Sequence, residues 1–198
     1  AGWGREALKK FDGLFSLAFW NRKEKVLLLA RDRFGVKPLY IFQSEKTLIF
    51  ASEVKAIKQT LDNQIELNKS ALIEYMTFQN YFSNQTLFAN ITTLPNGSWL
   101  QISKDGSCES DSYWDFNFFN EYSSLSEAYA ESELEKLFSA AVNRQLIGDV
   151  PFSSYLSGGV DSGSITAVAS SQIENLRTFT VGFDLNSASG LELGFDER

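Results

Sequence analysis

The spacing of apolar residues in the first third of the chain has the period of two that is typical of half-buried β-strands. Residues 14–20 alternate and are rich in aromatic side chains, residues 21–25 form a polar turn, and residues 26–30 form a second apolar run. This pattern predicts an antiparallel hairpin. Similar short runs, separated by turns rich in Gly, Pro, Asn and Asp, predict further strands at residues 39–42, 47–51, 86–91, 98–103 and 108–113.

Helical spacing and capping residues predict helices between and after these strands. Ser52 and Asn68 are placed to cap helices that run to about residues 61 and 78. Ser126 precedes a longer helical pattern that continues to about residue 147. The apolar face of this longer helix consists of Leu134, Leu137, Phe138, Ala141 and Val142.

After residue 150 the pattern changes to one in which short apolar runs flank a helix. Residues 152–156 predict a strand and residues 164–171 a helix of small residues. Residues 178–183 are apolar and β-branched, which predicts a buried strand of a parallel sheet. Strand, glycine-containing loop, helix and strand in this order form one βαβ unit.

The loop of this unit has the composition of an anion-binding loop. Residues 156–164 read Leu-Ser-Gly-Gly-Val-Asp-Ser-Gly-Ser, in which the glycines let the backbone approach a ligand closely and the serines donate from their hydroxyls. Unpaired N–H groups at the start of the following helix attract anions. Asp161 would repel a phosphate directly, so its natural role at such a site is to hold Mg²⁺.

Two other loop types do not fit these residues. No Gly-Lys-Ser/Thr follows the glycines, which excludes a Walker A loop. A nucleophile elbow is excluded because Asp161 occupies the position of its serine and the chain has no histidine to activate a serine. A glycine-rich turn without a ligand is the remaining alternative, and the serines, the aspartate and the βαβ setting favour phosphate binding over it.

Composition and charge narrow the classes of function. The 198 residues are 43% hydrophobic and include no histidine, which excludes Ser-His-Asp and Cys-His catalytic groups and histidine-based zinc sites within this chain. The net charge of −7 argues against a nucleic-acid partner. The chain shows no signal peptide and no apolar run near the roughly 18 residues that cross a membrane, and its single cysteine fits a reducing compartment, so we expect a cytoplasmic protein.

Several segments of the chain resemble the glutamine-dependent asparagine synthetases. The loop Ser-Gly-Gly-Val-Asp-Ser is similar to the pyrophosphate loop of the N-type ATP pyrophosphatases, which split ATP between its α and β phosphates. The other matching segments are FDGLFSLA at residues 11–18, ARDRFGVKPLY at 30–40, FASEVKA at 50–56, DVP at 149–151 and TFTVGF at 178–183. Because these segments occur in order over nearly the full length, the chain is identified as a member of this family.

The resemblance implies an α+β fold followed by an α/β fold. Residues 1–113 would be the C-terminal part of an antiparallel, β-rich glutaminase domain of the N-terminal-nucleophile (Ntn) type. Residues 114–125 would be a linker, and residues 126–198 the start of a Rossmann-like ATP-pyrophosphatase (PP-loop) domain. Backbone groups of Leu156 and Val181 would contact the adenosine part of ATP. The residues implied to hold the pyrophosphate and its Mg²⁺, the metal through Asp161, are Ser157, Gly158, Gly159, Asp161 and Ser162.

The reaction implied by the resemblance is that of a carbon–nitrogen ligase. Glutamine is hydrolysed to ammonia, ATP and aspartate form β-aspartyl-AMP, and ammonia displaces AMP to give asparagine. The implied substrates are therefore glutamine, aspartate and ATP, with Mg²⁺; no nucleic acid or membrane is implied, and a homodimer is compatible with the family. Two alternatives stay open: a related enzyme whose acceptor is a sugar acid or a β-lactam precursor, and a non-catalytic regulatory or interaction protein.

Departures from the family pattern imply that the chain is an internal portion of a longer enzyme. The family's glutaminase uses an N-terminal cysteine as its nucleophile, whereas Ala1 stands first here, and Cys108 is interpreted as structural. We therefore expect no glutaminase nucleophile in this chain, and acceptor-site residues beyond Arg198. Asp196 and Glu197 are acidic residues whose role the sequence leaves open.

Other conspicuous residues are interpreted as structural. Charged side chains near the second strand are more typical of ion pairs that brace a loop or a domain interface than of a substrate site. They are Arg31, Asp32, Arg33 and Lys37, and Glu53, farther along the chain, is interpreted in the same way. Trp20, Trp99 and Trp114 are interpreted as core residues.

Overall fold

In the computed structural model the chain divides into two compact units, residues 1–118 and 119–198. The structure describes residues 3–61, 65–116, 118 and 125–182. The strands are β1 (Ser16–Asn21), β2 (Val26–Arg31), β3 (Tyr40–Gln43), β4 (Leu48–Ala51), β5 (Ile91–Thr93), β6 (Ser98–Ile102), β7 (Cys108–Ser112), β8 (Ser153–Tyr155) and β9 (Arg177–Phe179). The helices are a 3₁₀ helix (Gly4–Lys10) and α1 (Val54–Thr60), α2 (Lys69–Phe78), α3 (Glu127–Gln145) and α4 (Val160–Ser170).

The largest sheet of the first unit is antiparallel, with the strand order β1-β2-β6-β7. Successive side chains of a strand point to opposite faces of its sheet. Leu29 and Ala30, neighbours on β2 and both fully buried, accordingly belong to two different apolar clusters. The cluster of Ala30 includes Leu8 of the 3₁₀ helix and Trp99 of β6. Both faces of β2 are therefore covered.

A second antiparallel sheet, ordered β4-β3-β5, packs over the other face of β2. Ile41 of β3, and Leu39 just before that strand, share one buried cluster with Leu29 and Leu94. The predicted antiparallel, β-rich character of this part is confirmed. The hairpin of β1 and β2 forms as predicted, and Asn68 caps α2 by accepting a hydrogen bond from the backbone N–H of Ala71.

The second unit contains the predicted βαβ arrangement. Strands β8 and β9 are parallel, with Ser153 opposite Arg177, and α4 lies between them in sequence. Helix α3 begins after Ser126, whose side chain accepts from the backbone N–H of Tyr129, and it packs against α4. All three residues of β9 are exposed, so the expectation of a buried strand is wrong for the part of that run that the structure describes, where β9 pairs only with β8.

Two of the local predictions for the first unit are wrong. Ser52 does not cap α1: the helix begins at Val54 after Glu53, which makes no side-chain capping bond. The strand predicted at residues 86–91 begins only at Ile91, as β5 (Ile91–Thr93). The residues before it form a turn around Thr86. The Thr86 hydroxyl donates to the carbonyl of Ile91 at 2.8 Å, and Asn90 has a φ of 61°, which an extended strand does not allow.

The burial of Trp20 and the start of α4 also differ from the predictions. Trp99 lies in the core as expected, but Trp20 on the edge strand β1 is 51% exposed. Helix α4 begins at Val160, four residues before the predicted start. Asp161 and Ser162 consequently belong to the first turn of the helix rather than to the loop. None of the helices in the described part of the chain is long and apolar enough to cross a bilayer.

Candidate functional site

The start of α4 carries first-turn backbone N–H groups that no side chain of a described residue caps, while the N–H of Gly159 just before it donates to the Ser157 hydroxyl at 3.4 Å. Gly159 occupies the N-cap position in extended conformation and makes no side-chain cap bond. The preceding Gly158 has a φ of 98°, a left-handed conformation that favours glycine. Intrahelical bonding begins only with the N–H of Gly163, which donates to the carbonyl of Gly159 at 3.0 Å. The first-turn N–H groups and the helix dipole together favour an anion at this end of α4.

Two serine hydroxyls tie the loop to the first turn. The oxygens of Ser157 and Ser162 lie 3.0 Å apart, and the Ser162 hydroxyl also accepts from the N–H of Ser157 at 3.2 Å. It lies 3.1 Å from the Gly159 carbonyl, to which it can donate. The structure thus brings together the two serines that the sequence singled out. Each hydroxyl can rotate towards a bound anion without a change in the backbone.

Asp161 is exposed on the first turn of α4 and faces α3. It lines a cavity of about 540 Å³ between the two helices. Among the described residues, no group of three or more acidic, cysteine or histidine side chains could hold a metal ion. Any metal here would therefore need oxygens from a ligand or water besides Asp161. The remaining cavity residues are Glu131, Leu134, Glu135, Phe138, Ser164 and Ile165.

The ends of β8 and β9 bring the other two predicted residues to the same edge of the small sheet. The N–H of Leu156 donates to the carbonyl of Phe179 at 2.9 Å. Its carbonyl accepts from the hydroxyl of Thr180 at 2.6 Å. Val181 follows directly and is 86% exposed. Carboxyl ends of parallel strands are where open α/β sheets bind ligands.

Thr180 was missed by reasoning from sequence. Its side chain bonds to a residue 24 positions earlier in the chain, and no local pattern reports such a contact. Thr180 lies inside the apolar, β-branched run at residues 178–183, and that run predicts a strand but not this contact. The Leu156 contacts also narrow the predicted backbone contact of Leu156 with adenosine to its carbonyl. The Leu156 N–H is already donated, and only the carbonyl keeps a free lone pair for a ligand.

A second cluster of predicted residues, in the first unit, braces a loop. The Asp32 carboxylate accepts from the backbone N–H groups of Phe34, Val36 and Lys37 at 3.2, 3.0 and 2.9 Å. Arg31 donates to the carbonyls of Lys37 at 2.9 Å and Leu94 at 2.8 Å. The sequence favoured bracing over substrate binding, but the bracing uses hydrogen bonds to the backbone: the ion pairs found among the described residues include none of Arg31, Asp32, Arg33 and Lys37.

Burial and hydrogen bonding shift the pKa values of this pair. Burial alone would raise the pKa of Asp32, but the backbone N–H donors, with that of Lys37 first, hold it below its ordinary value. Burial lowers the pKa of Arg31, opposed by the negative charge of Asp32. Both groups are charged at neutral pH, so the loop is held by charge-assisted bonds.

Two protein families match the chain, one mainly in its first unit and one within its second unit. Residues 1–114 match the glutamine amidotransferase domain family, and residues 133–198 match the asparagine synthase family. Over 95% of its length the chain is 36% identical to glutamine-hydrolysing asparagine synthetase 1 of Bacillus subtilis, of which it covers 29%. The chain belongs to the glutamine amidotransferase domain family.

Other relatives of this amidotransferase-domain protein differ in name and in sequence identity. Amidase chyE of Penicillium rubens is 26% identical over 94% of the chain, which covers 30% of that protein. The chain thus spans about 30% of the length of the curated relatives it matches. Among solved structures, the Bacillus subtilis glutamine phosphoribosylpyrophosphate amidotransferase complexed with ADP and GMP aligns with 96% of this chain and 42% of its own, at 14% identity. Its TM-score of 0.30 is too low to bear on the fold.

Within the family match, the glycine loop and α4 fall in the asparagine synthase part. The Asp32 loop falls in the glutamine amidotransferase part. Cys108, predicted to be structural, is exposed at the start of β7. Asp196 and Glu197 lie outside the described residues.

Proposed function

We propose that this chain is part of an ATP-dependent ligase that forms an amide from glutamine-derived ammonia, with aspartate as the acceptor and asparagine as the product. Aspartate and ATP would form β-aspartyl-AMP and release pyrophosphate, and ammonia would then displace AMP. A carboxylate is a poor electrophile, and converting it to a mixed anhydride supplies a leaving group.

The observation that carries this proposal is the uncapped start of α4 behind a glycine loop, within the segment that matches the asparagine synthase family. A helix start without its own cap offers several N–H groups to an anion. Its position after β8, beside the end of the parallel strand β9, favours a nucleotide over an isolated anion. The glutamine amidotransferase match at residues 1–114 supports an ammonia source in the same protein.

In this proposal each predicted residue has one task. Backbone amides of Gly158 and Gly159 and the hydroxyls of Ser157 and Ser162 would bind the pyrophosphate part of ATP. The Leu156 carbonyl and the backbone of Val181 would bind the adenosine part. None of these groups needs to transfer a proton, so the site would work by orienting ATP and stabilising the charge of the departing pyrophosphate.

The residues present fit Mg²⁺, which usually takes one or two carboxylates and completes its shell with phosphate oxygens and water. Asp161 would be the protein ligand, and its place on the first turn keeps the carboxylate beside the anion-binding N–H groups. Bound Mg²⁺ would neutralise charge that develops on the phosphates.

We further propose the division implied by the family resemblance. Residues 1–113 would belong to an Ntn-type glutaminase domain, residues 114–125 to a linker, and residues 126–198 to a Rossmann-like ATP-pyrophosphatase domain. The braced loop at Asp32 then belongs to the ammonia-producing part, and the glycine loop to the part that activates the acceptor. In this arrangement ammonia would reach the acyl adenylate within one protein.

The test is ATP–pyrophosphate exchange by the full-length gene product with aspartate as the acid. Exchange that requires aspartate, and asparagine formation when glutamine is added, are the expected results. Exchange with a sugar acid or a β-amino acid but not with aspartate would replace the acceptor and keep the adenylation. Absence of exchange with every acid, in protein that is folded by circular dichroism, would contradict the proposed activity and favour a non-catalytic role.

A further inference from the structure

Thr180 connects the end of β9 to Leu156, the residue that precedes the glycine loop. Its hydroxyl donates to the carbonyl of Leu156 at 2.6 Å, and the N–H of Leu156 donates to the carbonyl of Phe179 at 2.9 Å. The two bonds continue the pairing of β8 with β9 by one residue beyond the ends of both strands. Leu156 is the last residue before the loop, so the bonds fix the point from which the loop starts.

The sheet that this contact extends is small. Strands β8 and β9 have three residues each, and in the described part of the chain neither pairs with another strand. Few backbone bonds therefore hold the two strand ends in register, and one additional bond at the loop is a large share of the total. A second hydroxyl contact, 2.8 Å between Ser154 and Thr166, ties β8 to α4 on the other side of the loop.

We infer that Thr180 is a positioning residue for the adenine nucleotide, acting through the Leu156 carbonyl. The inference rests on the nucleotide site proposed above. The hydroxyl sets the distance between the Leu156 carbonyl and the backbone of Val181, one residue after Thr180. It leaves the second lone pair of that carbonyl free for the ligand.

Removal of this hydroxyl is expected to weaken the binding of ATP and to leave the rate of the chemical step unchanged. The adenosine contacts lie away from the phosphorus atom at which the bond is cleaved, so they stabilise the bound ground state and the transition state alike. Loss of such uniform binding raises KM and leaves kcat unchanged. The loss of one hydrogen bond at a partly solvated site corresponds to a change of about five- to tenfold.

The experiment compares Thr180→Val, Thr180→Ser and the matched control Thr178→Val in the full-length gene product. Valine keeps the shape of threonine without its hydroxyl, and serine keeps the hydroxyl. Thr178 lies on the same exposed strand, and its hydroxyl bonds to no described residue. The measured quantities are KM for ATP and kcat in aspartate-dependent ATP–pyrophosphate exchange, with circular dichroism to establish folding.

We expect Thr180→Val to raise KM for ATP about five- to tenfold with kcat within about twofold, while Thr180→Ser and Thr178→Val stay within about twofold of wild type. A KM for Thr180→Val within twofold of wild type, or equal defects in Thr180→Val and Thr180→Ser, overturns the inference while the active wild type upholds the proposed function. If wild-type protein neither binds nor exchanges ATP, both fail together. Should Thr180→Val fold poorly, Thr180→Ser against Thr180→Ala gives the same comparison.

Discussion

The carboxylate of Asp32 accepts a hydrogen bond from the backbone N–H of Lys37, five residues later, at 2.9 Å. The same carboxylate accepts from Phe34 and Val36, and the Asp32 side chain is fully buried. One side chain therefore satisfies three N–H groups of a loop that has no strand or helix partner for them. The backbone of Asp32 adds to this, since its carbonyl accepts from the N–H groups of Gly35 and Gly97. The loop conformation depends on Asp32 more than on any local propensity.

Replacing Asp32 with Ala is expected to destabilise the first unit by about 3–5 kcal/mol, because three loop N–H groups lose a charged acceptor. The measurement is the urea midpoint of the transition that unfolds this unit, followed by tryptophan fluorescence. The matched control is Asp111→Ala, because the exposed Asp111 carboxylate accepts, among the described residues, only from the neighbouring N–H of Ser112, and a change below about 1 kcal/mol is expected there. Equal effects of the two substitutions would refute the special role of Asp32.

The same carboxylate predicts how stability changes with pH. The folded-state pKa of Asp32 lies below its ordinary value, so the ionised form is favoured in the native state. Its contribution is fully present above the unfolded-state pKa of about 4 and is lost as the pH falls through the lower folded-state value. Urea midpoints measured between pH 2 and pH 7 should fall less on acidification in Asp32→Asn than in wild type. Parallel curves for the two proteins would show that other carboxylates cause the acid sensitivity.

Gly35 is expected to resist substitution because of the neighbouring guanidinium. Its φ is 64°, and a Cβ atom there would lie 2.9 Å from Cζ of Arg31, which is itself fixed by carbonyl acceptors. Gly35→Ala should therefore cost about 2–4 kcal/mol in unfolding free energy, from left-handed strain plus the clash. Gly106→Ala provides the control, since φ is 84° there but no atom lies within 4 Å, and strain alone of about 1–2 kcal/mol is expected. Similar costs at both positions would exclude a contribution from Arg31.

Patterns of short range were sufficient to predict much of this fold, and contacts between distant residues account for what was missed. The β1–β2 hairpin and the caps Asn68 and Ser126 depend on residues that are neighbours in sequence, and all three are confirmed. The turn around Thr86 depends on a hydroxyl that competes with strand pairing, and the alternation of residues 86–91 does not report that competition.

The candidate site was predictable in its residue types but not in its connections. Glycines, serines and an aspartate before a helix identified the loop at residues 156–164. Sequence placed the start of α4 four residues too late, because the first turn holds polar residues and a glycine, which weaken the helical pattern. The contact of Thr180 with Leu156 required the parallel pairing of β8 and β9, which only the fold supplies.

Gly163 is expected to accept a methyl group with a gain in stability. It lies in the interior of α4, and a Cβ atom built there would meet no atom within 4 Å. Gly163→Ala should stabilise the second unit by about 0.5–1 kcal/mol, because alanine loses less backbone entropy in a helix. Thermal unfolding with and without pyrophosphate measures this effect. A higher melting temperature without ligand, combined with weaker pyrophosphate binding, would show that the bound ligand needs the space beside Gly163.

Asp161 provides the prediction that bears most directly on the metal. If its carboxylate holds Mg²⁺ at the start of α4, Asp161→Asn keeps the size of the side chain but removes the charge, and the Mg²⁺ concentration for half-maximal exchange should rise at least tenfold. The matched control is Glu135→Gln, which removes a charge from the same cavity on α3 and should leave that concentration within about twofold. A uniform fall in exchange at every Mg²⁺ concentration in Asp161→Asn would assign the residue to orienting the loop. Equal shifts in Asp161→Asn and Glu135→Gln would instead indicate that the cavity attracts the cation only through its total charge.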